Sequence, residues 1–156
     1  MIKKFVTAIL VCFLNVTAFC QITALDPLFG NGGKISTDLG VSSRAILETA
    51  IDANGQLIAA GFAAGSNSGE EVLHVVRYNL DGSLDSTFGN NGVLSTSYGF
   101  PGSLPTSLGL LVTADGKIVV AAGMYRGSQN NNDTALLYKF NSDGTRDLSF
   151  GNGGLV

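Results

Sequence analysis

Three stretches of this chain are variants of one another: residues 25–38, LDPLFGNGGKISTD, residues 84–97, LDSTFGNNGVLSTS, and residues 146–156, RDLSFGNGGLV. Measured at the phenylalanine they share, Phe29, Phe88 and Phe150, the copies lie 59 and 62 residues apart. A period of that size is one supersecondary unit written repeatedly, and such a unit covers its apolar faces only by stacking on neighbours of the same make. The chain therefore divides into a leader, residues 1–20, a first repeat, 21–83, a second repeat, 84–145, and the opening of a third, 146–156.

The segments between the copies read as short strands. After the turn Gly30-Asn31-Gly32-Gly33 a strand is expected at 34–38, and strands at 45–51, 56–62 and 72–79 complete the first unit. Asn54-Gly55 between two apolar runs is a strong hairpin signal, and Asp115-Gly116 stands in the same place one repeat later. The second unit repeats the order at 93–97, 108–112, 117–124 and 134–141, with a longer loop holding Pro101 and Pro105. Two links, 63–71 and 125–133, are small and polar, and they are the parts best suited to recognition. The 21 glycines and a charged share of only 13% suit many short strands joined by tight turns.

The run Ile118-Val119-Val120 and the pairs Val75-Val76 and Leu136-Leu137 are apolar on both strand faces, as strands are between stacked sheets. The expected fold is all-β: repeated four-stranded antiparallel units, two of them complete and a third only begun. Residues 146–156 stop where a strand is due to start, so the chain reads as the N-terminal piece of a longer protein. On its own it would need self-association to protect its sheet edges.

The leader carries Lys3 and Lys4, an apolar run from Phe5 to Leu14, and small residues at Ala18 and Cys20. That is the order of a secretory signal peptide, and the run is too short to span a bilayer comfortably. Cleavage after Cys20 leaves Gln21 first. In the rival reading Cys20 carries a lipid, which bulky Phe19 just before it argues against. Both cysteines, Cys12 and Cys20, fall in the leader, so the mature chain has no thiol, disulfide or cysteine-based metal site. Loss of Lys3 and Lys4 from nine Lys and Arg leaves seven against twelve Asp and Glu, a net charge near −5. Such a surface suits neither nucleic acid nor anionic lipid, and no stable membrane insertion is expected after cleavage.

The motifs LDSTFGNNG, NLDGSLDSTFG, ADGKIVVAAG and RYNLDG, taken together at the repeat spacing, resemble the delta-60 repeat, a bacterial family of β-propeller-like repeats in secreted and cell-surface proteins. The resemblance covers residues 25–156. It implies one four-stranded blade per repeat, in a propeller or closely related array, and a location outside the cell or at its surface. It brings no catalytic residues, because the family has no agreed set.

The strongest candidate for a site is the repeated acidic turn, Asp81, Ser83 and Asp85, then Asp143, Thr145 and Asp147 one unit later. Oxygen side chains at alternate positions resemble the opening of a calcium loop, but the later Gly and bidentate Glu that complete an EF-hand are missing. The same residues also shape turns, accepting hydrogen bonds from backbone N–H groups two or three residues on, and recurrence in every repeat favours that role. The sequence GNGGK at 30–34 lacks the Ser or Thr and the following helix that a phosphate cradle needs. His74, the only histidine, lies in an expected strand without a second His or any Cys to share a metal. Arg77 and Lys139 recur at one position and are expected to pair with Asp85 and Asp147. Tyr78, Tyr98, Tyr125 and Tyr138 could present stacking faces to a glycan, although three lie in or beside expected strands.

These readings assign no cofactor and no catalytic residue. They describe an exported, non-catalytic repeat protein, a scaffold for binding or adhesion. Its partners would be further repeats or copies of itself and a glycan or protein ligand of unknown identity. The alternative is a portion of a secreted propeller enzyme whose catalytic residues lie in further blades.

Overall fold

The computed structural model describes residues 25–39, 43–64, 71–97, 104–125 and 134–156. The leader and most of both polar links therefore lie outside the described residues, as does Tyr98. Among the described residues every regular element is a strand. They are β1 Ser43–Ile51, β2 Leu57–Ala64, β3 Glu71–Tyr78, β4 Val93–Ser97, β5 Leu104–Val112, β6 Ile118–Tyr125 and β7 Thr134–Phe140. They form two antiparallel sheets, one in the order β1-β2-β3-β4 and one in the order β5-β6-β7. The sheets do not close on one another.

Both expected hairpins are present. Gly55 donates its N–H to Asp52 O at 3.1 Å, and Gly116 to Thr113 O at 2.9 Å, closing β1 onto β2 and β5 onto β6. Two expectations need correction. Residues 34–38 form no ladder strand among the described residues; Lys34 makes an isolated bridge with Gly30. Their counterpart β4 pairs with the strand that precedes it in the chain, and no described residue precedes 34–38 in that place. Pro105 belongs to β5 rather than to a loop. It is tolerated because β5 is an edge strand, and the register shifts between Pro105 and Ser107.

The hydrogen-bonded sheet is offset from the sequence repeat. β4 follows the second copy of the turn, yet it pairs with β3 in the register Val76↔Val93 and Val75↔Leu94. The same arrangement recurs at the end of the chain, where Leu155 bridges Tyr138 and Val156 exchanges backbone hydrogen bonds with Leu137 at 2.8 and 3.0 Å. Each sheet thus takes its fourth strand from the segment after the next turn.

The main core lies between the sheets. Ile58, Ala60, Phe62, Leu73, Val75, Phe88 and Leu94 meet Ile118, Val120, Ala122, Met124, Leu136, Tyr138 and Phe140, all of them buried. Each large side chain so enclosed contributes roughly 1.5–3 kcal/mol through removal of apolar surface from water. The opposite face of the first sheet, with Ala59, Val76 and Tyr78, packs on Ile35 and Leu39 from the N-terminal segment. β3 is thereby covered on both faces, as its sequence predicts. β7 is covered on one face only, and its other face leaves Leu137 38% exposed, with Val156 at 59% beside it and Leu111 at 59% on β5.

Candidate functional site

The acidic turns occupy the ends of the third strands, where the chain leaves a sheet and reverses. Asp81 Oδ1 accepts the Ser83 N–H at 2.9 Å and the Ser83 hydroxyl at 2.6 Å. Asn79 Nδ2 donates to that hydroxyl's oxygen at 3.0 Å. One repeat later Asp143 Oδ1 accepts the Thr145 N–H at 2.8 Å and its hydroxyl at 2.7 Å, and Asn141 takes the place of Asn79 at 3.0 Å. These bonds, the hydroxyl first, hold both carboxyls below the ordinary aspartate range. Such side-chain-to-backbone bonds fix a turn locally without help from the rest of the fold.

Asp85 and Asp147 face inward beneath the turns. Asp85 Oδ1 accepts the Thr87 N–H at 2.9 Å and the Thr87 hydroxyl at 2.6 Å, while Oδ2 accepts Arg77 Nε at 2.8 Å and Gln56 Nε2 at 2.7 Å. The Thr87 hydroxyl, with the Thr87 N–H, Gln56 and Arg77, outweighs the cost of burial and holds this carboxyl far below the usual range. Arg77 also lies 4.7 Å from the centre of the Phe88 ring and donates from Nη1 to Ser142 O in the next repeat at 2.6 Å. Asp147 Oδ1 accepts the Ser149 N–H at 3.2 Å and its hydroxyl at 2.5 Å. Its Oδ2 takes Lys117 Nζ at 2.8 Å, and Lys139 Nζ stands further off at 3.9 Å. The Lys117 ammonium and then the Ser149 hydroxyl lower this carboxyl to about 2.

The expected pairing of Arg77 with Asp85 is therefore present, whereas the closer partner of Asp147 is Lys117 and not Lys139. Lys117 and Gln56 were not singled out in the sequence, yet both stand directly before the second strand of their sheets. Their shared capacity to donate, Gln in one repeat and Lys in the next, is the signal that could have marked them. Of the six calcium candidates, Asp81, Ser83, Asp143 and Thr145 are exposed and bonded within their own turns, and Asp85 and Asp147 are buried and bonded to donors through both oxygens. No group of three or more His, Cys, Asp or Glu side chains is gathered among the described residues. The arrangement holds a turn and stacks repeats.

His74 lies on the outer face of β3, 8% exposed, and its Nδ1 is 2.8 Å from Ser95 Oγ on β4. It borders a cleft of about 620 Å³ lined also by Asp38, Leu39, Asn90, Asn91 and Val93. Burial pushes its pKa below the ordinary value. Its Nε2 has no hydrogen-bond partner among the described residues. Of the tyrosines, Tyr78 and Tyr138 are buried at 4% and 1% and cannot stack on a ligand, while Tyr125 is 44% exposed at the end of β6.

Repeat-to-repeat packing uses the turns directly. Gly30 N–H donates to Asp81 O at 2.8 Å, and one unit on Gly89 N–H donates to Asp143 O at 2.8 Å. A Cβ on Gly82 would come within 2.7 Å of Gly30 N, and one on Gly144 within 3.0 Å of Gly89 N and of the Phe88 ring. Only glycine allows one turn to sit this closely on the next.

All-β antiparallel sheets stacked in series, each completed by a strand from beyond the next turn, define a propeller-like repeat protein. The model of a family described as a domain of unknown function (DUF5122) beta-propeller matches the chain twice, at residues 53–88 and 113–150. Each match runs from the hairpin through the two central strands to the phenylalanine of the turn, and together they identify β-propeller-like repeats. No curated protein and no solved structure matches the chain.

Proposed function

We propose that this chain is an exported, non-catalytic repeat protein of the delta-60 kind, serving outside the cell or at its surface as a scaffold for binding or adhesion. It would form part of a longer array of blades. One observation carries the reading: on the outer face of β5–β7, Val119, Ala121 and Leu137 stand where Ile58, Ala60 and Val75 stand on the buried face of the first sheet, and this face is open, with Gly123 and Ala135 in place of Phe62 and Leu73. Leu137 and Val156 occupy the places of Val75 and Leu94, which are 0% and 7% exposed beneath the second sheet. A surface built to be covered by another repeat serves assembly, and the polar groups nearest to it are already bonded within turns. Ligand recognition then falls to the links 63–71 and 125–133, which vary while the frame stays constant.

Sedimentation of the mature chain, residues 21–156, tests the assembly half of this reading. Concentration-dependent association is expected, and a compact monomer at all concentrations overturns it. Export is tested by N-terminal sequencing of the product in the culture medium, which should begin at Gln21. Retention of the leader inside the cell defeats that part.

A further inference from the structure

The repeat pattern is broken at two neighbouring positions on the outer face of the first sheet. His74 stands where the second sheet has Leu136, which is buried in the core between the sheets. Asn91 stands where the other two copies of the turn have Gly32 and Gly153. Among the described residues it is the one residue other than glycine with a positive φ, 50°, and both glycines hold 62° in the same place. A side chain there costs backbone strain that glycine avoids, and the two other copies form the same turn without it.

Both departures line the same cleft, whose volume of about 620 Å³ falls in the range of small-molecule sites. Its wall carries His74, Asn90, Asn91 and Ser95, with Leu39 and Val93 as the apolar part. Packing does not account for the histidine, because the second sheet buries a leucine at this position. The imidazole is 8% exposed, and its Nε2 is buried without a hydrogen-bond partner. An unpartnered buried nitrogen costs free energy that a leucine would not, and a ligand that supplies the missing bond removes the cost.

The bonds already made define that ligand. His74 Nδ1 is 2.8 Å from Ser95 Oγ. Where Nδ1 donates to this oxygen, Nε2 is an acceptor; where the hydroxyl donates, Nε2 carries the proton. A hydroxyl, which both donates and accepts, satisfies either tautomer. Burial favours the neutral ring, and no Lys or Arg lines the cleft to hold an anion. Asn91 Nδ2 lies 3.5 Å from Asn90 Oδ1, at the limit of a hydrogen bond, so both amides are able to turn toward further hydroxyls.

We propose that this cleft binds an uncharged, polyhydroxylated ring, a neutral sugar residue of a glycan. One sugar hydroxyl bonds His74 Nε2, others bond the side-chain amides of Asn90 and Asn91, and the C–H face of the ring lies on Leu39 and Val93. The proposal rests on the binding reading above and adds to the links a recognition site on the frame itself.

His74 is the only histidine, so its imidazole signals are read without ambiguity. Titration of the protein with glucose, galactose, mannose and N-acetylglucosamine at millimolar concentrations, followed by magnetic resonance, should shift the His74 Nε2 signal with at least one sugar. The amide signals of Asn91 and Ser95 should move with the same midpoint. Asn91→Gly restores the residue of the other two turns, so it should melt no lower than the wild type and bind that sugar about fivefold more weakly by calorimetry. His74→Leu, matching Leu136, should weaken binding about tenfold. Shifts confined to the links, with His74 unmoved, overturn the cleft while leaving the binding reading intact. Wild-type affinity in both variants overturns it, and so does the absence of any shift with all four sugars, which leaves only a protein ligand for the links.

Discussion

The two buried aspartates occupy equivalent places and differ in how they are held. Asp85 is gripped by an arginine that is itself 10% exposed, stacks on Phe88 and reaches across to the carbonyl of Ser142. Asp147 is held by Lys117, 29% exposed, while Lys139 stays 28% exposed beside Phe150. The backbone of the turn is the same in both. The difference follows the neighbour: where another sheet covers the turn, a planar guanidinium can satisfy three partners at once, and where solvent covers it, two ammonium groups suffice. Arginine stands at the turn that reaches into the next repeat, and lysine at the turn beyond which no further repeat lies among the described residues.

The sharpest way to break this comparison is to remove each acid in turn. Asp85→Ala leaves Arg77 buried without its counter-ion and should cost about 3–5 kcal/mol, read as a drop in the urea midpoint. Asp147→Ala frees a lysine that can turn to water and should cost clearly less. Equal losses would show that the covering sheet plays no part. Next in size are the glycines. Gly89 has φ +54 and a Cβ there would lie 2.5 Å from Val93 O, so Gly89→Ala should cost about 2–3 kcal/mol. Gly153 has φ +62 with nothing within 4 Å, so Gly153→Ala should cost about 1 kcal/mol, the conformational term alone.

A smaller effect of opposite sign is expected at Tyr138, which fills the place of Val76 in the second repeat. It is 1% exposed and its hydroxyl has no hydrogen-bond partner among the described residues, so burial raises its pKa. Tyr138→Phe should stabilise the chain by about 1 kcal/mol in thermal or urea melts, by relieving an unpaired buried hydroxyl.

Acid should act in two separate steps. The folded pKa of His74 lies below 6.5, so the unfolded chain binds the proton more readily and stability falls as pH drops through that value. His74→Leu, matching Leu136, should abolish this step. Asp85 and Asp147 also have folded values below their unfolded 3.8. Their contribution is complete above about pH 5, and it is lost as pH falls below 3.8, toward about 2 for Asp147. Urea midpoints between pH 7 and 2 would resolve the two steps, and a single acid step in the wild type would contradict the assignment of His74.

Much of the frame was legible in the residues themselves. Asn54-Gly55 and Asp115-Gly116 mark their hairpins because local turn chemistry decides them, and the apolar strands follow because their burial is written in composition. The offset of the sheet was not legible. Which strand accepts residues 93–97 depends on the edge of β3, far from the turn, and nothing in VLSTS names its partner. Pro105 misled for a related reason, since its cost vanishes at a sheet edge and edge position is a tertiary property. At the acidic turns, the repetition of Asp and Ser or Thr disclosed the turn bonds. The exchange of Gln56 for Lys117 across the sheet needed the fold, because donor and acceptor are separated by two strands.

The borrowed fourth strand also bears on how such a molecule comes apart and how it could have grown. No sheet can melt without stripping an edge from the stretch of chain that leads into its neighbour, so adjoining blades should unfold in a single cooperative step. A duplication of one whole period, cut anywhere within it, restores every pairing on both sides of the insertion. A lengthening chain therefore has no privileged breakpoint, and copies can be added without an intermediate that leaves a blade incomplete.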